Sequence, residues 1–156
     1  MSEHTAVIRW QNTASGMDPE TYPRDHRWEF EGGPVVSASA APAYRGGAGC
    51  VDPEEGLVAA ASSCHMLTFL AVAAKRRLVV QSYVDQAVGY LEKDAEGRLA
   101  ITRIELRPVA TFADGSQVGA EDLQLRFVFG SDAETQQGGW YIDYVRVLGT
   151  GTGTGR

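Results

Sequence analysis

Two thiols, Cys50 and Cys64, carry most of the chemistry this chain can offer, and their surroundings differ. Cys50 closes a glycine-rich stretch, AYRGGAGC, while Cys64 sits in the small-residue run AAASSCHM and is followed directly by His65. A thiol attacks electrophiles as its thiolate, and at a free pKa of about 8.5 it is mostly protonated at neutral pH. A reactive role therefore requires a cation beside the sulfur, and an arginine held by a carboxylate would supply one with a planar, donor-rich fork. Arg24 and Arg45 are two of the four arginines upstream of the thiols, and Glu54 is a carboxylate ten residues before Cys64. Read singly, each has a plainer role. Cys64 is then a small inert hydrophobe in an Ala-rich helix, Glu54 a carboxylate suited to a helix N-terminus, Arg24 a solvated loop cation, and Arg45 its competitor in the glycine loop. His65 points about 100° round a helix from Cys64, which favours packing or hydrogen bonding over service as a general base. The Cys and His spacing matches no standard zinc pattern, so no metal site is expected. No G-x-S-x-G elbow, phosphate loop or dinucleotide fingerprint occurs, which removes hydrolase and nucleotide-dependent readings.

The elements that must position these residues are legible from local chemistry. Asp52 is a good N-cap, Pro53 fits the first helical position, and Glu55 completes a capping box with Asp52. From Leu57 to Ala74 the chain is apolar on nearly all faces, which predicts a long helix buried among other elements. The stretch is only marginally long enough to span a bilayer and is interrupted by Ser62, Ser63, His65 and Thr68, so a core helix is the better reading. Lys75, Arg76 and Arg77 place cations at its negative end, and Val79 and Val80 begin β-like sequence. The segments 83–93 and 99–112 flank the turn DAEGR and predict a hairpin, with Pro108 implying a bulge or an edge position. Val35 to Pro42 reads as a short β run after a Pro- and Gly-rich stretch. Leu123 to Phe129 and Trp140 to Val147 read as strands, and GTGTGTGR as a flexible tail over 149–156.

The 156 residues carry a formal charge of −6 and a pI near 5.0. Such a chain lacks the basic face that nucleic acid or an anionic membrane rewards, so neither is an expected partner. The opening MSEHTAVIRW has no basic and apolar signal regions, which predicts a cytoplasmic protein with reduced thiols. One domain over 1–148 is the expectation at this length.

The run VDPEEGLVAAASSCHMLTFLAVAAKR, Val51 to Arg76, resembles the helix that carries the peroxidatic cysteine in the OsmC/Ohr family. YPRDHRWEFEGG, Tyr22 to Gly33, resembles the segment supplying that family's arginine, and the offsets from Arg24 to Gly33 and Pro42 agree. SYVDQAVGYLEKDAEGRLAITRIELRPVATF, Ser82 to Phe112, is similar to the hairpin after the family's central helix. The resemblance implies an α+β fold, an antiparallel sheet packed on a long buried central helix, in a homodimer with two interfacial sites. It implies a peroxidase in which Cys64 attacks an organic hydroperoxide, Arg24 and Glu54 assist, and a small or protein-bound thiol is the reductant. No cofactor is implied. The family's resolving cysteine lies in a second helix, yet no cysteine follows Cys64 here. From about residue 120 the chain instead resembles the closing strands of an accessory β-sandwich module. Cys50 is the other thiol that could resolve a Cys64 sulfenic acid.

A straight helix puts about 15 Å of rise between Glu54 and Cys64. The helix must break near Ser62 and Ser63, or Arg24 must bridge the two groups, or one of them comes from another subunit. The alternative to an enzyme is a non-catalytic β-rich binding module with the helix as its core.

Overall fold

The computed structural model describes residues 3–119 together with strands at 123–128 and 141–147. Strands β1 (Ala6–Arg9), β2 (His26–Phe30) and β3 (Val35–Ala38) form an antiparallel sheet in that order. Helix α1 (Pro53–Lys75) follows, then β4 (Val80–Asp85), β5 (Val88–Lys93), β6 (Leu99–Glu105), β7 (Pro108–Phe112) and β8 (Gln117–Val118). β5 pairs with β6, and β4, β7 and β8 form a second three-stranded sheet with β7 central. β9 (Leu123–Val128) and β10 (Tyr141–Val147) pair antiparallel with each other, interrupted by a bulge between Ile142 and Val145. The expected tail, 149–156, lies outside the described residues. The fold is α+β, one helix packed on antiparallel sheets.

Contacts group into two compact units, residues 1–59 with 89–102 and residues 60–88 with 103–156. In the first, α1 starts as its sequence dictates. Asp52 Oδ1 accepts the Glu55 N–H at 2.7 Å and Glu55 Oε2 accepts the Asp52 N–H at 3.1 Å, a reciprocal box that satisfies two otherwise orphaned donors. The preceding loop is held at its ends, because Ser39 N–H donates to the Val51 carbonyl and Val51 N–H to that of Ser37. Gly46 is required inside it, since a Cβ there would lie 1.4 Å from the Ala40 carbonyl oxygen. The loop is more ordered than its glycines imply. Pro42–Tyr44 form a 3-10 turn, and Ser39 Oγ donates to Asp25 while accepting the Gly47 N–H. β5 and β6 meet through the expected turn, where Asp94 N–H donates to the Arg98 carbonyl and Gly97 takes φ +80°. That conformation suits a residue without Cβ.

In the second unit, Phe69 packs 5.6 Å from Tyr83 and 6.4 Å, edge-on, from Phe112, ring centroid to centroid. Leu70, Val80 and Val118 complete a small core around Phe69 and Ala110. The buried residues of α1 are Ala61, His65, Phe69 and Ala73, one stripe at four-residue spacing. Leu67 is 61 % exposed. Composition predicts burial on nearly all sides; within one chain the burial follows this stripe. By length and composition alone α1 could also cross a membrane. Pro108 is neither at a bulge nor on an edge strand: it is the first residue of β7, opposite Asp85, where a missing N–H is tolerated.

The end of α1 is less expected. Leu78 N–H donates to the Ala73 carbonyl and Arg77 N–H to that of Ala74, a Schellman motif whose left-handed residue is Arg77, at φ 59°. A side chain in that conformation costs about 1 kcal/mol or more relative to glycine. Arg77→Gly is therefore expected to stabilise the protein by about 1 kcal/mol, seen as a higher thermal midpoint. An unchanged or lower midpoint would contradict this geometry.

Candidate functional site

Arg24, Arg45, Cys50 and Glu54 belong to the first unit, and Cys64 and His65 to the second. Cys64 is exposed and unbridged, and its carbonyl accepts the Thr68 hydroxyl at 3.0 Å. α1 continues unbroken through Ser62 and Ser63 to Lys75. The helix break considered above does not occur, so the rise of about 15 Å between Glu54 and Cys64 stands.

Arg24 is immobilised by its own segment. Its guanidinium donates to the carbonyls of Tyr22 at 2.9 Å and Pro19 at 2.8 Å and lies 4.2 Å from the Tyr22 ring centroid, a geometry that adds cation–π attraction. Its carbonyl is fixed too. Trp28 Nε1 donates to His26 Nε2 at 2.9 Å, and because indole only donates, the His26 proton sits on Nδ1, which donates to the Arg24 carbonyl at 2.9 Å. Trp10 Nε1 donates to the Pro23 carbonyl at 2.7 Å. Arg24, Tyr22, Trp10, Met17, His26 and Pro53 line a largely apolar recess of about 380 Å3. Glu54 is half-buried in the first turn of α1, and among the described residues it forms no ion pair with Arg24. The backbone carbonyls hold the arginine's fork instead.

Arg45, left-handed at φ 64°, is paired with Glu20. Cys50 is half-buried and free, and it lines a separate recess of about 880 Å3 with Asp25, His26 and Arg27. Among the described residues no three His, Cys, Asp or Glu side chains converge as a metal site needs.

His65 is only 1 % exposed, and its Nδ1 lies 2.5 Å from the Tyr83 hydroxyl. Burial holds its pKa below the ordinary imidazole range, with the nearby Asp85 carboxylate pulling the other way. Burial, then Asp85, pushes Tyr83 upward, so the phenol keeps its proton. Ser62 Oγ donates to Asp85 Oδ2 at 2.6 Å, and Arg107 N–H donates to Asp85 Oδ1 at 2.6 Å. Sequence reasoning missed Tyr83, Asp85 and Ser62. The available signal was spacing: Ser62 and His65 share a helix face, and Tyr83 and Asp85 a strand face.

The comparisons with known proteins agree with this fold. Residues 46–125 match the family model described as OsmC-like protein. The solved structure of an OsmC-like protein of unknown function from Vibrio cholerae is similar, with 46 % identity and a TM-score of 0.69 over 72 % of this chain and 77 % of that one. No curated protein matches in sequence. The chain belongs to the OsmC-like family, which includes peroxidases.

Proposed function

We propose that this chain is a cysteine-based peroxidase that reduces organic hydroperoxides with an external thiol. The observation that carries the reading is the exposed, unbridged Cys64 on the outward side of the central helix in a chain of this family. The Cys64 thiolate attacks the distal peroxide oxygen; the O–O bond breaks, an S–OH group forms, and the alkoxide leaves as the alcohol after taking a proton. One external thiol then condenses with the sulfenic acid, releasing water, and a second returns Cys64 to the thiol as a disulfide of the two reductants. Arg24 is the cation that favours the thiolate. The carbonyls of Pro19 and Tyr22 orient its fork, and Glu54 adds a negative charge in the first turn of α1. A homodimer is part of the proposal, and outward apolar residues of α1 such as Leu67 are what a second copy would cover. The cytoplasm, where thiol reductants are abundant, is the proposed setting.

The test is peroxide consumption by the native chain and by Cys64→Ser, Arg24→Ala and Arg45→Ala. Consumption should vanish in the serine variant and fall roughly tenfold or more in Arg24→Ala. Undiminished consumption by Cys64→Ser would end the enzymatic reading. A loss in the Arg45 variant alone would move the cationic role to Arg45.

A further inference from the structure

Two polar links tie one stripe of α1 to one face of β4, and Cys64 lies between their helical ends in sequence. Ser62 donates to Asp85 at 2.6 Å, and His65 meets Tyr83 at 2.5 Å. Positions three apart on the helix therefore grip positions two apart on the strand, and such a double link fixes rotation of the helix about its axis. With Ser62 and His65 turned to the strand, Cys64 is turned away from it, as its exposure records. A rotation of about 100° would exchange the places of Cys64 and His65.

We infer that the Ser62–Asp85 and His65–Tyr83 pairs are a positioning latch for Cys64, and that protonation of His65 opens the buried half of this latch, making the thiol's reactivity acid-sensitive. The importance of Cys64 rests on the function proposed above; the latch does not. A neutral His65 accepts the Tyr83 O–H at Nδ1, whereas a proton on Nδ1 removes that acceptor and places a cation at a site 1 % exposed to water. Asp85 on β4 is the anion that faces it, and it already accepts from Ser62 and from the Arg107 N–H. The Arg107 guanidinium is directed to Glu105 at 2.9 Å. β7 and β8 contribute no ionisable side chain to this packing. Desolvation outweighs the attraction of Asp85, so folded His65 binds its proton less readily than the unfolded chain does. Below the ordinary imidazole pKa of about 6.5 the unfolded state takes up a proton that the folded state refuses, so stability is lost as the pH is lowered.

The experiment follows reaction of Cys64 with dithiodipyridine from about pH 4.5 to 9, with peptide mapping to separate Cys64 from Cys50. In the native chain the rate, corrected for thiolate fraction, should fall roughly threefold or more on the acid side of a second inflection. His65→Asn retains a polar group near Nδ1 but does not titrate, and should lose that inflection. Ser62→Ala should keep it, because its link carries no imidazole. Should His65→Asn not fold, Tyr83→Phe carries the test: without the O–H that favours neutral imidazole, the inflection should move to higher pH. A His65→Asn profile superimposable on the native one, an inflection lost equally in Ser62→Ala, or one unmoved in Tyr83→Phe would overturn the latch. No peroxide is present, so the latch and the peroxidase can fail independently.

Discussion

Phe69→Ala should cost about 3–5 kcal/mol of folding stability, the range for removing a large buried aromatic side chain. Phe69 is 5 % exposed and, with Ala110, forms the cluster against which Leu70, Val80, Tyr83, Phe112 and Val118 pack. The other buried residue of that cluster is Ala110, which cannot fill the void. Truncation would also remove ring contacts to Tyr83 and Phe112 at centroid distances of 5.6 and 6.4 Å, each a contribution beyond area alone. With total stability of typical domains at about 5–15 kcal/mol, much of the protein's margin depends on this one side chain. The check is a urea midpoint with unchanged slope. A loss below about 1 kcal/mol would place the dominant core elsewhere.

The second large effect is rapid inactivation during turnover when external thiol is scarce. After one attack Cys64 is a sulfenic acid, and without a capturing thiol excess peroxide carries it to the irreversible sulfinic state. Cys50 is poorly placed to intervene. Val51 is clamped to Ser37 and Ser39, Asp52 caps the helix, and α1 then runs unbroken past Cys64. Asp52 to Cys64 gives about 18 Å of helical rise, while a disulfide needs Cα atoms within about 7 Å. Activity should therefore fall roughly tenfold or more over repeated peroxide additions without reductant. Mass spectrometry should locate two added oxygen atoms on Cys64. A dominant Cys50–Cys64 disulfide, reversible by a dithiol and sustaining many cycles, would show that Cys50 resolves the sulfenic acid.

The parts of the fold legible in the sequence are those decided within a few residues. The Asp52–Glu55 box and the Asp94–Arg98 turn follow from local donors, acceptors and one glycine, and both are formed. The end of the helix at Lys75 is legible too, from its cations and the β-branched residues that follow, but the cap is not, because Arg77 occupies a left-handed position that sequence rules reserve for Gly or Asn. Strand breaks between β4 and β5 and between β6 and β7 were hidden by continuous β-like sequence. β1 carries four exposed residues and no alternation of burial, so it had no pattern to declare it. Burial of α1 was overestimated for a general reason: apolar composition states that a face avoids water, not whether its cover comes from the same chain. At the candidate site, the roles proposed for Cys64 and Arg24 rest on resemblance. The contacts of His65 with Tyr83 and of Ser62 with Asp85 are not legible in the sequence, since they join residues 18 and 23 positions apart and only the fold brings them together.

A single-turnover reaction with one equivalent of an organic hydroperoxide shows whether Cys64 is a peroxidatic thiol. Stopped-flow thiol loss, product alcohol and peptide-mapped mass are read from the same sample. A peroxidatic Cys64 should give loss of one thiol per chain, at Cys64, with one alcohol formed per peroxide and a rate well above that of free cysteine. Thiol loss at Cys50 instead, or at Cys64 no faster than in free cysteine, would contradict it.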